Sequence, residues 1–422
     1  MNYGKQGLDL NIPNEWDVEV IRKRPMPVLF DPVDDIHRAL SGPIGCNTLT
    51  EEARGCKTAC IAICDITRPV PNGLILPILV RELLDAGIDA SNITILVATG
   101  LHRPNEGHEL KELIGDGWVQ ETVHVVNHFA RNDADHLDLG LTKRGTPVKI
   151  DRRFVEADLR IVVGLVEPHF MAGYSGGRKL VTPGVAHQDT IRTLHNADIL
   201  SHTNCTNCQL ACNPLHDEQI EIIGKLGKVL AVNVVIDEER RVSFVNFGHV
   251  EASHDQAVDF IRDYAEVKIP ERFSIIVTSA AGYPLDKTFY QTVKGMVGAL
   301  GILKPGGDLF IVSECSEGMG SPEYTAAQRS LALMGSENFM ELQKTKKFAD
   351  IDEWQTVMML KATQMASVHL YSEALPDDVN PLLCVNRVES LAEAIETSVE
   401  KHGPRIAVIP EGPYVIPLYS EE

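Results

Sequence analysis

The sequence has no run approaching the roughly 20 consecutive apolar residues of a membrane span, so no membrane partner is expected. Its opening stretch, "MNYGKQGLDLNIPNEW", lacks a charged head followed by an apolar core, and no secretory signal is expected. Internal repeats and low-complexity segments are absent, which excludes solenoid and disordered classes. Positive charge is scarce: 39 Lys and Arg against 59 Asp and Glu give a net charge of −20. That balance argues against nucleic acid as the main partner. The spacing of a Walker loop is missing, and so is a G-x-G-x-x-G fingerprint. Cysteines number nine, an odd count that, with no signal, fits a reducing cytoplasm. Cys56, Cys60 and Cys64 run into an apolar strand and read as buried small hydrophobes.

What is present is an alternation of apolar runs and helical patterns, the mark of α/β units with a mainly parallel sheet. The 422 residues suffice for two such domains. "TACIAIC" (58–64), "NITILVATG" (92–100), "DLRIVVGLV" (158–166) and "KVLAVNVVID" (228–237) read as strands. "RRVSFVNFGH" follows the last as a hairpin partner. "GLILPILVRELLDAG" (73–87) and "NEGHELKELIG" read as helices, with Pro77 kinking the first or sitting in its first turn. Proline and charge interrupt the pattern at "VKIPERF" (267–273). A second, smaller α/β domain then opens with strand "SIIVTSA", helix "TVKGMVGALGIL" and strand "PGGDLFIVSEC". The expected division is a cofactor-binding domain over 1–270 and a second domain over 271–402. The strand-like tail, about 403–422, is a candidate to return to the first.

In open α/β sheets, ligands bind beyond the carboxyl ends of the strands. Three chemically loaded segments stand at such ends: "DITRPVP" (65–71), "GLHRP" (100–104) and "EPHFMAGYSGGRK" (167–179). A parallel sheet would bring them to one rim. Successive N–H groups at Gly176 and Gly177 can form an anion nest, with charge added by Arg178 and Lys179. In an acidic chain, that clustering points to a phosphate or carboxylate guest. His102 and His169 on separate rim loops suit paired acid–base work, one on each face of a carbon. His195, in "RTLHNADIL", is a candidate metal ligand. Each feature also has a bland reading. Asp65 and Thr67 can cap a turn, His102 and Arg103 can be a solvated pair, and His169 can be a satisfied loop histidine. Gly176-Gly177 can be only a turn, and His195 can be a core or surface residue of its helix.

Together with "LHNA", "NPLH", "PLDKTFYQTVKG" and "DEWQ", these segments occur in the order seen in nickel-dependent lactate racemases. The chain resembles that family over nearly its full length. The resemblance implies two α/β domains with the active site in the cleft between them. It also implies a nickel-pincer nucleotide, a pyridinium mononucleotide whose thioamide and thiocarboxylate arms hold nickel through sulfur, carbon and sulfur. By the resemblance, Lys179 carries this nucleotide covalently and His195 completes the nickel coordination. His102 and His169 are the acid–base pair, and hydride passes reversibly between a 2-hydroxy acid and the pyridinium ring. Asp65, Ile66, Thr67 and Arg68 form the turn contacting nucleotide and substrate. Gly176, Gly177 and Arg178 bind the cofactor, the glycine nest holding its phosphate. Tyr290, Gln291, Lys294 and Trp354 lie on the substrate side. The implied partners are a small 2-hydroxy acid and the proteins that make and insert the cofactor.

One segment departs from the family pattern. "HTNCTNCQLACNPLH" places Cys205, Cys208 and Cys212 at a spacing that suits zinc or an iron–sulfur cluster, with His202 or His216 supplying a fourth ligand. A plain loop is the alternative. Two other functions stay open on the residues alone: an NAD-linked 2-hydroxyacid dehydrogenase, against which the missing glycine fingerprint counts, and a non-catalytic binding protein for anionic metabolites.

Overall fold

Runs of small and β-branched residues bounded by turns become the central strands. Ala59–Cys64 is buried at every position, as a strand covered on both faces must be. In the computed structural model, which describes residues 1–421, such strands form two six-stranded sheets. The N-terminal sheet runs in the order Val242–His249, Leu230–Ile236, Leu159–Leu165, Ala59–Cys64, Ile93–Ala98, His124–Asn127. Its neighbours are parallel, except that Val242–His249 returns antiparallel as the expected hairpin. From Ala59–Cys64 the chain builds outward through Ile93–Ala98 and His124–Asn127. It then crosses to the opposite flank with Leu159–Leu165. The strand order therefore reverses between Ala59–Cys64 and Leu159–Leu165, which opens a crevice at their carboxyl ends.

The second sheet is wholly parallel, in the order Asp17–Val20, Arg405–Ile409, Phe273–Ser279, Leu303–Val312, Ser367–Tyr371, Asn386–Val388. One placement differs from the sequence reading. Asp17–Val20, from the stretch assigned to the first domain, is an edge strand of this second sheet. The tail divides between the two units. Arg405–Ile409 lies between Asp17–Val20 and Phe273–Ser279, and Ile416–Tyr419 pairs with Glu266–Ile269. Charge explains the edge pairing: the Arg405 guanidinium reaches Asp17 at 2.8 Å and Glu19 at 3.2 Å. A four-residue strand carries too little hydrophobic pattern to announce its sheet.

Helix Asn72–Asp85 forms as expected but keeps Pro77 inside it, beyond the first turn. Cys60 and Cys64 are buried in their strand, while Cys56 is only half-buried. Burial pushes the Cys64 thiol up to about 11, so these sulfurs are inert packing. Among the described residues no helix is long and apolar enough to cross a membrane.

One apolar core runs through both units and includes Leu194 and Leu200 on one side and Trp354 and Met358 on the other. Polar contacts seal the seam. Arg192 Nε donates to the Ala349 carbonyl at 2.6 Å, and Ala349 N–H returns a bond to the Arg192 carbonyl at 3.0 Å. Lys361 Nζ donates to the carbonyls of His202 and Cys205 at 3.0 and 2.7 Å.

Candidate active site

The loops leaving Ala59–Cys64 and Leu159–Leu165 carry most of the chemistry. Asp65, the residue after the first strand, is buried. Its Oδ1 accepts the Thr67 N–H at 3.2 Å, closing a tight turn. The Ile66 N–H is taken by Asn105 Oδ1 at 3.2 Å. Asp65 Oδ2 lies 2.6 Å from Nδ1 of His102, which stands exposed on the neighbouring loop. Burial would raise the Asp65 carboxyl. The bonds from His102 and Thr67 and the charge of Arg68 outweigh it, and the group stays below the usual carboxylate range. An ionised Asp65 accepts from Nδ1–H, which leaves His102 Nε2 with a free lone pair.

Arg68, on the same turn, forms an ion pair with Glu167, two residues beyond the second strand. Glu167 opens the segment "EPHFMAGYSGGRK", and its ion pair with Arg68 lies outside the roles expected from the sequence. An acid just past a strand that neighbours the "DITR" turn was the available signal.

The turn after Glu167 is pressed onto the sheet by small residues. Gly176 has φ 80°, and a Cβ there would lie 2.6 Å from Val166 Cγ2. A Cβ on Gly164, within the strand, would lie 2.5 Å from Leu180 Cδ1. Gly177, also left-handed, packs against the His254 imidazole. This close approach aims Lys179 at His169: Nζ and Nε2 are 3.1 Å apart. The other ring nitrogen of His169 accepts the backbone N–H groups of Met171 and Ala172 at 3.3 and 3.2 Å. Burial, then the charges of Lys179, Arg68 and Lys294, hold His169 well below an ordinary histidine. Lys179 is likewise held well below an ordinary lysine, by burial first and then by Arg68, Arg178 and Lys294. These mutual effects place Arg68 and Lys179 of the first unit near Lys294 of the second.

Arg178 goes elsewhere. Its fully buried guanidinium donates to the carbonyls of Ala172 and Tyr174 at 2.8 and 3.2 Å and abuts His254 Nε2 at 3.0 Å. It lines a separate cavity of about 550 Å³ with His216 and His254, and its side chain braces the turn from behind.

His195 ends the short helix Gln188–Leu194. Its Nδ1–H donates to the Ile191 carbonyl at 2.8 Å, so Nε2 is the lone-pair nitrogen. Burial lowers it to about 4, and a neutral imidazole of fixed tautomer is what a metal takes as a ligand. Trp354, from helix Glu353–Thr363 of the second unit, packs on this ring with centroids 5.0 Å apart. Trp354 Nε1 donates to the Tyr290 hydroxyl at 3.2 Å. Tyr290, Gln291 and Lys294 occupy the first turns of helix Phe289–Gly298, which Thr288 caps by accepting the Gln291 N–H. Gln291 Oε1 is buried without a partner. Burial, then the Arg68 charge, bring Lys294 down to about 8.

The cysteine segment does not form a metal centre. Cys205 is buried against Asn213 Oδ1, at 3.3 Å. Cys208 sits beside Tyr174 and Glu266, and Cys212 is exposed. Cys208 and Cys212 take left-handed φ values of 61° and 56°. Among the described residues no group of three or more His, Cys, Asp or Glu side chains is arranged to hold a metal.

The lactate racemase N-terminal domain family matches residues 3–207, and the lactate racemase C-terminal domain family matches residues 269–417. The chain is 31% identical to a lactate racemase of Thermoanaerobacterium thermosaccharolyticum over 98% of its own length and 97% of that protein. It is 31% identical to a lactate racemase of Lactiplantibacillus plantarum over 91% of its length and 90% of that one. The structure superposes on the lactate racemase apoprotein of T. thermosaccharolyticum with a TM-score of 0.90 at 29% identity, covering 99% and 98% of the two chains. A Thermotoga maritima protein shares the fold at a TM-score of 0.68 and 19% identity, over 92% and 98% of the two chains.

Proposed function

The chain belongs to the lactate racemase family, and on that premise we propose that it interconverts the enantiomers of lactate or a closely related 2-hydroxy acid, using a nickel-pincer nucleotide held by Lys179 and His195. The observation that carries this reading is the pairing of a partly buried amine with a neutral, orientation-locked imidazole beside one cationic cleft.

The residues fit such a group. His195 offers a single neutral nitrogen donor, and among the described residues no cluster of other protein ligands surrounds it. A metal here has to arrive with donors of its own, as the sulfur and carbon atoms of a pincer provide, and nickel accepts soft sulfur together with imidazole. Lys179 offers an amine for attachment, and the Gly176-Gly177 turn sits directly before it. When bound, the group supplies a reversible hydride acceptor, so the poorly acidic α-hydrogen need not leave as a proton.

The chain's own residues do the rest. His102, with Nδ1–H tied to Asp65, takes the hydroxyl proton of one enantiomer at Nε2, and Asp65 stabilises the imidazolium that forms. His169 does the same for the other enantiomer once its Nδ1 lets go of the Met171 and Ala172 amides. Arg68 and Lys294 clamp the substrate carboxylate, Arg68 by a bidentate contact. A clamp on the carboxylate alone leaves the rest of the molecule free to turn, as inversion requires. Trp354 and Tyr290 close the wall behind it, and Gln291 has a free acceptor for a substrate hydroxyl. The cofactor would come from separate synthesis and insertion proteins. All nine cysteines are free, which suits a reducing cytoplasm.

The test is a chirality assay on protein co-produced with cofactor-synthesis machinery. Each pure enantiomer of lactate should become the racemate without added NAD, and deuterium at the α-carbon should stay in the product. Loaded protein that leaves lactate and its 2-hydroxy acid analogues optically pure would overturn the reading.

A further inference from the structure

We propose that His169 keeps the Lys179 amine unprotonated, making this lysine a primed nucleophile before anything is attached to it. The use of that nucleophile in cofactor loading rests on the reading above; the protonation pattern does not.

The argument is a count of protons. A neutral imidazole has one N–H and one lone pair. Backbone N–H groups can only donate, and two of them, from Met171 and Ala172, point at His169 Nδ1 at 3.3 and 3.2 Å. Nδ1 is therefore the lone-pair nitrogen, and the ring proton sits on Nε2. Nε2 lies 3.1 Å from Lys179 Nζ. An ammonium has three donors and no acceptor, so it cannot receive that proton. The contact is a hydrogen bond only if Nζ is a neutral amine accepting from Nε2–H. The reverse assignment, an ammonium donating to a bare Nε2, would strip the ring of both protons.

The surroundings favour the same answer. Lys179 forms no ion pair among the described residues, while Arg68, Arg178 and Lys294 all oppose a further positive charge. A buried, unpaired ammonium amid cations is the costly state.

Two consequences follow for the site. The Nζ lone pair accepts from Nε2–H instead of carrying a third proton, and it becomes nucleophilic once that hydrogen bond opens. Once that lone pair is committed to a bond, Nζ can no longer accept from Nε2–H, and the imidazole is released from it. His169 is thus a positioning residue during loading and an acid–base residue afterwards, and the amides of Met171 and Ala172 set the first role.

The test uses apoprotein and needs no turnover. Trace labelling with acetic anhydride acylates free amines: the N–C bond forms, the anhydride C–O bond breaks, acetate leaves and the amine proton goes to buffer. Peptide mass spectrometry across pH ~6 to ~10 compares Lys179 with the exposed Lys268. Labelling of Lys179 should level off well below the pH at which labelling of Lys268 does. His169→Ala should move the Lys179 inflection upward by about one pH unit or more. His169→Gln, whose side-chain amide can still donate, should keep it low. Independently, long-range proton–nitrogen NMR of the wild type should show His169 with its proton on Nε2. A Lys179 profile parallel to that of Lys268, an inflection indifferent to His169→Ala, or a proton on Nδ1 would each overturn the proposal. Absence of an adduct after co-production with cofactor machinery would instead count against the reading of Lys179 as the attachment point and leave the labelling result standing.

Discussion

Asp65 Oδ2 and His102 Nδ1 meet at 2.6 Å across two strand-end loops, and an ionised Asp65 that takes Nδ1–H leaves Nε2 as the lone-pair nitrogen, the one the proposed function uses as a base. Asp65→Asn keeps the shape but can present an N–H to Nδ1, which favours the opposite tautomer and protonates Nε2. Turnover in both directions should fall about 10²- to 10⁴-fold with KM little changed. Steady-state rates from each enantiomer check this. A kcat within twofold of wild type would show that Asp65 does not set the tautomer.

Lys294 gives a pH dependence with a definite sign. Burial and the Arg68 charge place its amine at about 8. Below that value it is an ammonium that can hold a carboxylate; above it the amine is neutral and the bond loses its charge assistance. KM should therefore rise as pH passes upward through about 8. Lys294→Arg, charged throughout, should flatten the rise. Lys294→Met should raise KM roughly 10- to 100-fold at neutral pH, the equivalent of one lost charge-assisted bond. KM profiles of the three proteins decide it, and an unchanged profile in Lys294→Arg would assign the titration elsewhere.

A second pH effect concerns stability. Asp151 is fully buried, with Arg153 Nε at 2.9 Å and His128 Nδ1 at 3.0 Å. Burial opposes its charge, but these partners prevail and bring it down to about 2 from an ordinary 3.8. A carboxyl depressed on folding contributes stability that is complete above its unfolded value and is lost as pH falls toward the folded one. The contribution is on the order of 2 kcal/mol, and the window is pH ~4 down to ~2. Urea midpoints should fall more steeply across that window in wild type than in Asp151→Asn. Parallel slopes would remove Asp151 from the acid response.

The site was legible in the sequence where local chemistry and topology coincide. "DITRPVP", "GLHRP" and "EPHFMAGYSGGRK" each follow a buried strand, and a parallel sheet leaves them no other rim. The role of Arg178 was not legible. Two adjacent cations read alike in sequence, yet the close packing at Gly164 and Gly176 sends Lys179 into the cleft and Arg178 behind it. Glu167 was missed because an ion pair between loops has no sequence period. The edge strand Asp17–Val20 and the central position of Arg405–Ile409 depend on pairing between the two ends of the chain, which no local pattern encodes. The cysteine spacing left a metal open beside a plain loop, and among the described residues no three such side chains come together there; Cys205 is buried against Asn213 and Cys212 is exposed.

Trp354 joins the two units at the site itself. Its indole packs on His195 at 5.0 Å and donates to the Tyr290 hydroxyl at 3.2 Å, and it is 92% buried by virtue of its 8% exposure. Trp354→Ala should cost about 3–5 kcal/mol of stability and leave His195 held only by its bond to the Ile191 carbonyl. Trp354→Phe keeps a ring on the imidazole and loses one neutral hydrogen bond, about 1 kcal/mol. The two variants therefore separate packing from hydrogen bonding. If the indole's task is to hold His195 in place, loaded Trp354→Ala should lose nickel on dialysis several times faster than wild type, while Trp354→Phe should stay close to wild type. Thermal melts give the stability difference, and elemental analysis gives nickel per chain. Equal nickel loss in the two variants would assign the effect to the Tyr290 bond, and wild-type retention in both would free His195 from any dependence on the second unit.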